Sequence, residues 1–506
     1  MIAWLGGLGL LVKREYFRPE AARLAEAAAL VGPNASYYAV TMGGGPVGYV
    51  SSTLDTTPTG ITIQNNTVLD IAALGDIQST RIITIINLTR QLRLTSFDAQ
   101  LVSTAGMRYA VRGQAEGDSV VVVEVDAGGG RPQRQRVRMG RGLVMSELVS
   151  LQLAVGGELR PGRTYTLRTF DPMLLQEREV ALTVLAESTM IFPDSARFDS
   201  VENRWVPARW DTAQAYRVRQ SMAGLSIESW IDAQGSIVSA TSPIGFTLER
   251  TAFEIAVENY RRNRDQGRRV AIGQGTDLIE TTAIAANVRV DPEALDVFRV
   301  RLGNVDLTGF DLSGGRQQLT GDTLTVRREP SPLPGAALRL PVREFRDTAI
   351  INALQPEFLV QSDDPRIQAL ARRIIGRERR AGRVAELLTR WVYENLEKRV
   401  TVSVPSAIQV MEERSGDCNE HTVLYVALAR AVGLPARTAA GVVYLRGRFY
   451  YHAWPEVWTG EWVAVDPTFG QVPADAAHLR FTIGGLARQV ELARLIGRLE
   501  LTVVSQ

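Results

Sequence analysis

The single cysteine of this 506-residue chain, Cys418, lies in the segment that most restricts how its C-terminal part can fold. Apolar residues recur there at helical spacing, so the sequence predicts a helix that begins at Ser415 or Asp417 and ends before Gly433. The thiol then lies in the first helical turn. Because free backbone N–H groups and the helix dipole favour a thiolate there, we predict a lowered pKa for Cys418.

Two predicted strands follow this helix and a third comes after a turn, over residues 438–445, 448–458 and 462–466. His452 lies on the second strand and Asp466 ends the third. If a three-residue turn pairs Trp458 with Trp462, the histidine and the aspartate share one face as a diagonal pair. Such pairs are about 7 to 8 Å apart at the backbone, which one hydrogen bond between the side chains can close. A two-residue loop would shift the register and separate them.

Cysteine, histidine and aspartate in this order supply the types of a nucleophile, a base and a residue that orients the base. The segments GDCNEHT, YYHAWPEVW and WVAVDPTFG resemble the three motif blocks of the transglutaminase-like superfamily, a papain-like fold of cysteine acyl-transfer enzymes. The resemblance implies that Cys418 is the nucleophile, that His452 is the general base and acid, and that Asp466 orients the imidazole. It extends over about a quarter of the chain, residues 354–481.

Each of these residues also has a structural interpretation. A cysteine at a helix start is often a small packing residue, a histidine on an apolar strand can belong to the core, and an aspartate before proline can begin a turn. His421 is a competing base, but its place on the cysteine helix keeps it from swinging over the thiol, so we predict a structural role. The sequence assigns nothing to His478.

We predict no metal site and no cofactor. One cysteine and three histidines, without carboxylate clusters beside them, do not supply the usual ligand sets. A formal net charge of +2 with 45% hydrophobic residues is typical of a globular protein and gives no reason to expect nucleic acid as a partner.

The N-terminal run MIAWLGGLGLLV is apolar over twelve residues, fewer than the roughly 20 that a spanning helix needs. We interpret residues 1–35 as the remnant of a signal or anchor segment followed by a stalk. This predicts an extracytoplasmic protein, periplasmic or membrane-anchored. A buried N-terminal strand or helix is the alternative, and Lys13 and Arg14 on the translocated side disfavour the export interpretation.

The length predicts three or four domains. Short alternating runs over residues 36–265 predict an antiparallel β region, either one large curved sheet (a half-barrel) or two β domains. Residues 270–345 are predicted to form a small β domain, such as a sandwich, with a proline-rich linker. The catalytic domain is predicted over residues 350–506, so the fold class is α+β with a papain-like C-terminal module.

The predicted reaction is acyl transfer on amide bonds through a thioester, with a protein or peptide as substrate. Hydrolysis is the first expectation because water needs no binding site of its own. A protein-crosslinking transglutaminase uses the same thioester and stays open as an alternative. A non-catalytic peptide-binding scaffold is the third, and the complete set of three residues argues against it.

Overall fold

A computed structural model of the protein describes residues 31–103, 108–117, 119–128, 132–138, 144–172, 175–222, 225–267, 277–333, 338–341, 347–401 and 403–505. The apolar N-terminal run lies outside these ranges, so its predicted role as an anchor stays a prediction. Within the described ranges, no helix combines the length and apolarity that crossing a membrane requires.

The N-terminal half forms one continuous sheet of fifteen strands. In chain order these strands are β1 (Asn34–Met42), β2 (Gly45–Thr56), β3 (Gly60–Ala73), β4 (Asp76–Thr89), β5 (Leu94–Ser103), β6 (Arg108–Glu116), β7 (Val120–Asp126), β8 (Gln133–Arg138), β9 (Val144–Met145), β10 (Thr164–Asp171), β11 (Gln176–Asp199), β12 (Arg204–Met222), β13 (Leu225–Asp232), β14 (Ile237–Thr241) and β15 (Phe246–Thr251). Two short helices accompany the sheet, α1 (Val149–Val155) and α2 (Asn259–Asp265).

Neighbours in this sheet are almost always consecutive antiparallel strands, and the pairing of β1 with β15 joins the two halves. The pairing of β9 with β10 is parallel. Alternating sequence drives the arrangement, as in β7, where Val121, Val123 and Val125 are buried and the residues between them are not. The result is the half-barrel, the first of the two arrangements that the sequence leaves open.

The C-terminal half adds eleven strands and seven α-helices among the described residues. The strands are β16 (Ile284–Ala285), β17 (Val297–Gly303), β18 (Gln317–Thr320), β19 (Thr323–Arg327), β20 (Glu397–Lys398), β21 (Ser415–Gly416), β22 (Ala436–Leu445), β23 (Arg448–Trp458), β24 (Trp462–Ala464), β25 (His478–Ile483) and β26 (Glu500–Ser505). The helices are α3 (Leu278–Thr282), α4 (Thr348–Asn352), α5 (Pro365–Ile375), α6 (Ala381–Asn395), α7 (Ala407–Glu413), α8 (Cys418–Ala431) and α9 (Leu486–Gln489).

Helix α8 is the centre of the C-terminal core. Helices α5, α6 and α7 pack against it on one side and strands β22 and β23 on the other. Their shared apolar cluster includes Ile367, Leu388 and Leu424, all fully buried. Helix α5 starts at Pro365 because Asp364 accepts the Arg366 N–H as N-cap and proline is favoured at the first helical position.

The described residues of the segment 270–345 share their sheet with the C-terminal strand of the chain. Strand β17 pairs with β19 on one side and with the C-terminal strand β26 on the other, which completes a four-stranded sheet. Strand β16 pairs with β23, which forms a five-stranded sheet together with β22, β24 and β25. Phe298 of β17 stacks on Phe449 of β23 with ring centroids 6.4 Å apart. The paired strands are far apart in sequence, so no local sequence pattern predicts their pairing.

The half-barrel and the cysteine region share an interface. Phe358 and Leu359 pack against the apolar core of the half-barrel. Two side chains at the start of α7 donate hydrogen bonds to backbone carbonyls of the half-barrel. Ser406 Oγ donates to Ala127 O at 2.6 Å, and Gln409 Nε2 donates to Arg108 O at 2.7 Å. The concave sheet is thereby held beside the start of the cysteine helix.

Candidate active site

The cysteine helix begins at Cys418, and its start is held by a reciprocal capping pair. Asp417 is the N-cap and accepts the Asn419 N–H at 2.9 Å, while Glu420 Oε2 accepts the Asp417 N–H at 2.9 Å. The other Glu420 oxygen accepts hydrogen bonds from the Thr401 and Ser403 hydroxyls at 2.6 and 2.7 Å. The predicted cap at Asp417 is confirmed, and it fixes the backbone beneath the thiol.

The first turn of α8 lies at an open stretch of the edge of β23. On the side away from β22, strand β16 pairs with residues 448–449 and β24 with residues 456–458, which leaves Ala453 between them. The Ala453 N–H donates to the Cys418 thiol, and its carbonyl accepts from Thr422 Oγ1 at 3.1 Å. The sulfur is therefore adjacent to the backbone of the residue that follows His452.

The hairpin brings His452 and Asp466 together. Trp458 pairs with Trp462 in the three-residue register that the sequence predicts. His452 Nε2 lies 2.7 Å from Asp466 Oδ2, and both side chains are buried. The Phe469 ring stacks on the imidazole with centroids 4.9 Å apart and planes 17° from parallel. One hydrogen bond and one stacked ring thus fix the orientation of His452.

Asp466 is held on both oxygens. Its Oδ1 accepts the backbone N–H groups of Thr468 and Phe469 at 2.6 and 3.1 Å. Burial by itself would raise the pKa of Asp466, but attraction to His452 and hydrogen bonds from His452 and His478 hold that pKa well below its ordinary value. The group facing His452 is therefore a carboxylate.

His478, to which the sequence assigns no role, is the second histidine on this carboxylate. Its Nε2 lies 3.0 Å from Asp466 Oδ2 and its Nδ1 lies 2.8 Å from Asp475 Oδ1. Burial opposes the charged form, but hydrogen bonds and attraction from the two carboxylates raise the pKa of His478 to about 9. The signal that could have identified it is the alternation of residues 478–483, which predicts a strand but not its neighbour.

The prediction of a lowered thiol pKa is wrong. Cys418 is half-buried, and protein atoms packed around the sulfur, followed by the carboxyl group of Asp417, raise the pKa of the thiol well above its ordinary value. Glu420 and Asp466 act in the same direction, whereas the Ala453 N–H opposes them. The helix terminus is outweighed first by burial of the sulfur and then by its acidic capping residues.

His421, the competing base of the sequence, is placed away from proton transfer. It is buried, and its Nδ1 lies 2.7 Å from Asp417 O on its own helix, in agreement with a structural role. Burial lowers the pKa of His421, so its imidazole is neutral. Trp391 of α6 packs against the apolar cluster around α8, with the Arg414 guanidinium 5.1 Å from its ring centroid.

One ligand atom each of His452, Asp466 and His478 lies within 4.8 Å of the others, a spacing that a metal ion could span. The contacts to Asp466 are 2.7 and 3.0 Å, which are hydrogen-bond lengths rather than ligand separations around an ion. Both His478 nitrogens also face carboxylates and must donate protons, so this ring has no lone pair for a metal. We therefore treat the group as a hydrogen-bonded network.

A cavity of about 570 Å³ opens between the half-barrel and the start of the cysteine helix. Asn419 and Thr422 line it from α8, Gln133 and Gln135 from the edge strand β8, and Phe358 from the loop that enters the half-barrel. The cavity wall is thus formed by two regions far apart in sequence.

Cys418 thus lies at a helix N-terminus and is set against the strand that carries His452, which is hydrogen-bonded to a carboxylate. Residues 368–467 match the Transglutaminase-like superfamily, so this part of the chain is a transglutaminase-like domain. The match contains Cys418, His452 and Asp466, and it confirms the family resemblance of the sequence motifs. His478 lies beyond it.

The chain is similar to an uncharacterized protein from Mycobacterium leprae (strain TN), with 27% identity over 179 residues. That alignment spans 32% of this chain and 62% of the mycobacterial protein. Among solved structures, a candidate cysteine protease from Cytophaga hutchinsonii aligns with 42% of this chain and 89% of its own, at 16% identity and a TM-score of 0.29. A β-barrel-like protein from Brucella abortus aligns with 44% of this chain and 95% of its own, at 13% identity and a TM-score of 0.30.

Proposed function

We propose that the protein is a cysteine-dependent acyl-transfer enzyme that hydrolyses amide bonds of a protein or peptide substrate. The observation that carries this proposal is the 2.7 Å contact of His452 with Asp466. His452 lies on β23, and the next residue of that strand, Ala453, donates its backbone N–H to the Cys418 thiol. In this proposal Cys418 is the nucleophile, His452 the base and acid, and Asp466 the residue that orients the imidazole.

The tautomer of His452 follows from its partner. The Asp466 carboxylate accepts a hydrogen bond, so His452 Nε2 carries the proton and a neutral ring has its lone pair on Nδ1. Because the resting thiol has a raised pKa, we propose that His452 removes its proton as the sulfur attacks rather than storing a thiolate in advance.

The sulfur forms a bond to the substrate carbonyl carbon, and the carbonyl π electrons move to oxygen. The Cys418 backbone N–H, free at the helix start, can donate to that oxyanion. Collapse of the intermediate breaks the C–N bond, and the His452 imidazolium protonates the leaving amine. Water then attacks the thioester, gives its proton to His452 and releases the acid with the thiol restored.

The cavity beside α8 supports a peptide as the substrate. Amide side chains of Gln133, Gln135 and Asn419 can bind peptide N–H and C=O groups, while Phe358 and Leu359 offer apolar surface for a side chain. A substrate that lies in this cavity contacts the half-barrel and the cysteine helix together. We propose that the half-barrel contributes to substrate selection.

The test is mass spectrometry of the intact protein after exposure to peptide pools, with Cys418→Ala as the matched control. An adduct on the wild-type protein that is absent from the control supports the thioester. Peptide hydrolysis by Cys418→Ala at the wild-type rate would overturn the proposal. Adding a primary amine as acceptor distinguishes hydrolysis from crosslinking, because a transglutaminase yields the amide of that amine instead of the acid.

We also propose an extracytoplasmic location, with attachment to a membrane through the N-terminal apolar run of residues 1–12. A fusion to a reporter enzyme that is active only after export tests it. Reporter activity that depends on residues 1–12 is the expected result, and an equally active reporter in the cytoplasm of export-deficient cells would contradict it.

A further inference from the structure

The aspartate beside His452 is shared by two histidines, and the reaction as described uses only one of them. His452 Nε2 and His478 Nε2 both bind Asp466 Oδ2, at 2.7 and 3.0 Å, and their ring centroids are 5.7 Å apart. His478 continues to Asp475 on its other nitrogen. The four side chains form a continuous buried row from Asp475 to His452.

The protonation of His478 follows from this geometry. Each of its two nitrogens faces a carboxylate oxygen, and an ionised carboxylate only accepts hydrogen bonds. Both ring nitrogens must therefore donate, which makes His478 an imidazolium. Its side chain is fully buried, so water does not screen the charge.

We propose that His478 is a positioning residue for the reaction, whose imidazolium locks the Asp466 carboxylate and offsets its charge toward His452. The proposal rests on the proposed function only for its kinetic consequence. Without His478, Asp466 Oδ2 would keep a single side-chain partner and its full negative charge would act on His452. With His478 in place, its positive charge offsets part of the Asp466 charge within the same buried volume.

Charged and titratable groups face His478 from the elements packed around it. Asp475 lies on the preceding turn, and Asp466 and His452 face it from the neighbouring hairpin. Arg316 donates to the Asp475 backbone carbonyl and is a further cation on that side. Gln471 Nε2 donates to the second Asp475 oxygen at 2.9 Å, so that carboxylate is fixed as well.

The sign of the effect on His452 is determined by the charge of His478. A cation about 6 Å away disfavours a second positive charge, so replacing it by a neutral group makes the protonated form of His452 more favourable. The limb of the pH–rate profile that His452 controls then moves to higher pH. A purely structural role of His478 would change stability and leave this pH unchanged.

The direct test is an NMR titration of the wild-type protein with 13C-labelled histidine. The chain has only three histidines, so three resonances suffice to follow the site. His478 is expected to remain protonated through neutral pH and to titrate near pH 9. A neutral His478 ring at pH 7 would overturn the proposal without any variant.

The variant test compares His478→Gln with Thr482→Val, both folded by circular dichroism. Gln can still donate to one carboxylate but carries no charge, and Thr482 is a buried uncharged residue on the same strand. We expect the acidic limb of the pH–rate profile to move to higher pH in His478→Gln and to stay in place in Thr482→Val. An acidic limb at the same pH in wild type and His478→Gln would contradict the proposal.

Asp475→Asn provides a second route that does not alter His478 itself. It removes one carboxylate from the imidazolium, so His478 is expected to lose its proton at a lower pH than in the wild type. An unchanged His478 midpoint in this variant would also contradict the proposal. The titrations of His478 need no substrate. A missing acyl-enzyme therefore refutes the proposed function alone, and a neutral His478 ring or an unchanged His478 midpoint refutes the role of His478 alone.

Discussion

Two buried clusters of charged side chains share one face of the sheet that contains β22, β23 and β25. They differ in whether their cations can release a proton. The histidine cluster consists of His452, Asp466, His478 and Asp475. The arginine cluster consists of Arg437, Glu456 and Arg480. Strand β23 contributes His452 and, four residues on, Glu456, while β25 contributes His478 and, two residues on, Arg480. The same two strands therefore carry both clusters side by side.

The arginine cluster is a closed set of ion pairs. Arg437 donates to Glu456 Oε2 at 2.9 and 2.6 Å, and Arg480 donates to Glu456 Oε1 at 2.7 Å. Burial would raise the pKa of Glu456, yet the two guanidinium groups hold it below its ordinary value. Arginine does not release its proton at accessible pH, so this cluster can only stabilise. Both clusters are built on a buried carboxylate. The comparison teaches that a histidine bound to this carboxylate can transfer a proton, whereas an arginine in the same position cannot.

The largest expected effect is the loss of turnover in the histidine cluster. His452→Ala removes the base and is expected to lower kcat/KM by roughly 10⁴-fold, with the melting temperature nearly unchanged. Cys418→Ser should do the same. Steady-state kinetics on a peptide that the wild type cleaves provides the measurement. Retained turnover in His452→Ala would place the base elsewhere and remove the contrast between the clusters.

Glu456→Gln is expected to give the opposite result. It leaves two arginines without their carboxylate and should lower the free energy of unfolding by about 3 to 5 kcal/mol, while turnover per folded molecule stays near wild type. Because the folded pKa of Glu456 is depressed, its contribution is present at neutral pH and disappears as the pH falls below the unfolded carboxyl value of about 4.3. Urea unfolding at pH 7 and pH 3 measures both differences. A loss of turnover without loss of stability would contradict the assignment.

Asp466→Asn should have a smaller kinetic effect than His452→Ala. The base remains, but its orientation and the charge that stabilises the imidazolium are lost, so we expect a decrease of about 10²-fold in kcat/KM. The wild-type and variant rates are compared across pH. A decrease as large as that of His452→Ala would mean that Asp466 does more than orient the ring.

The smallest effect concerns the resting thiol. Because the pKa of Cys418 is raised, most of the thiol stays protonated at neutral pH and iodoacetamide should react slowly there. The rate should increase only as the pH rises beyond the ordinary thiol range. Since Cys418 is the only thiol, mass spectrometry reports it without ambiguity. Rapid alkylation at pH 6 would instead reveal a preformed thiolate.

The features that the sequence predicts correctly are the local ones. The three-residue turn between Trp458 and Trp462 fixes the register that brings His452 to Asp466, and Asp417 is a residue type that caps helices. The half-barrel is likewise predictable, because consecutive strands pair with each other along most of the sheet.

The features that the sequence misses depend on distant contacts or on competing local charges. His478 reaches Asp466 because β25 pairs with β22, with a register shift between Ala440 and Gly441 that no pattern indicates. The thiol pKa depends on Asp417 and Glu420, which are visible in the sequence. Both residues are recognised as helix-capping types, but that pattern does not show that they also place negative charge beside the sulfur.

The pairing of β17 with β26 has a consequence for biosynthesis. Residues 297–303 leave the ribosome about 200 residues before their partner strand, residues 500–505, whereas each hairpin of the half-barrel is complete soon after its second strand emerges. The half-barrel can therefore fold cotranslationally while the core behind Phe298 and Phe449 waits for its last strand. Nascent chains consequently carry an assembled half-barrel before the cysteine site acquires its supporting sheet.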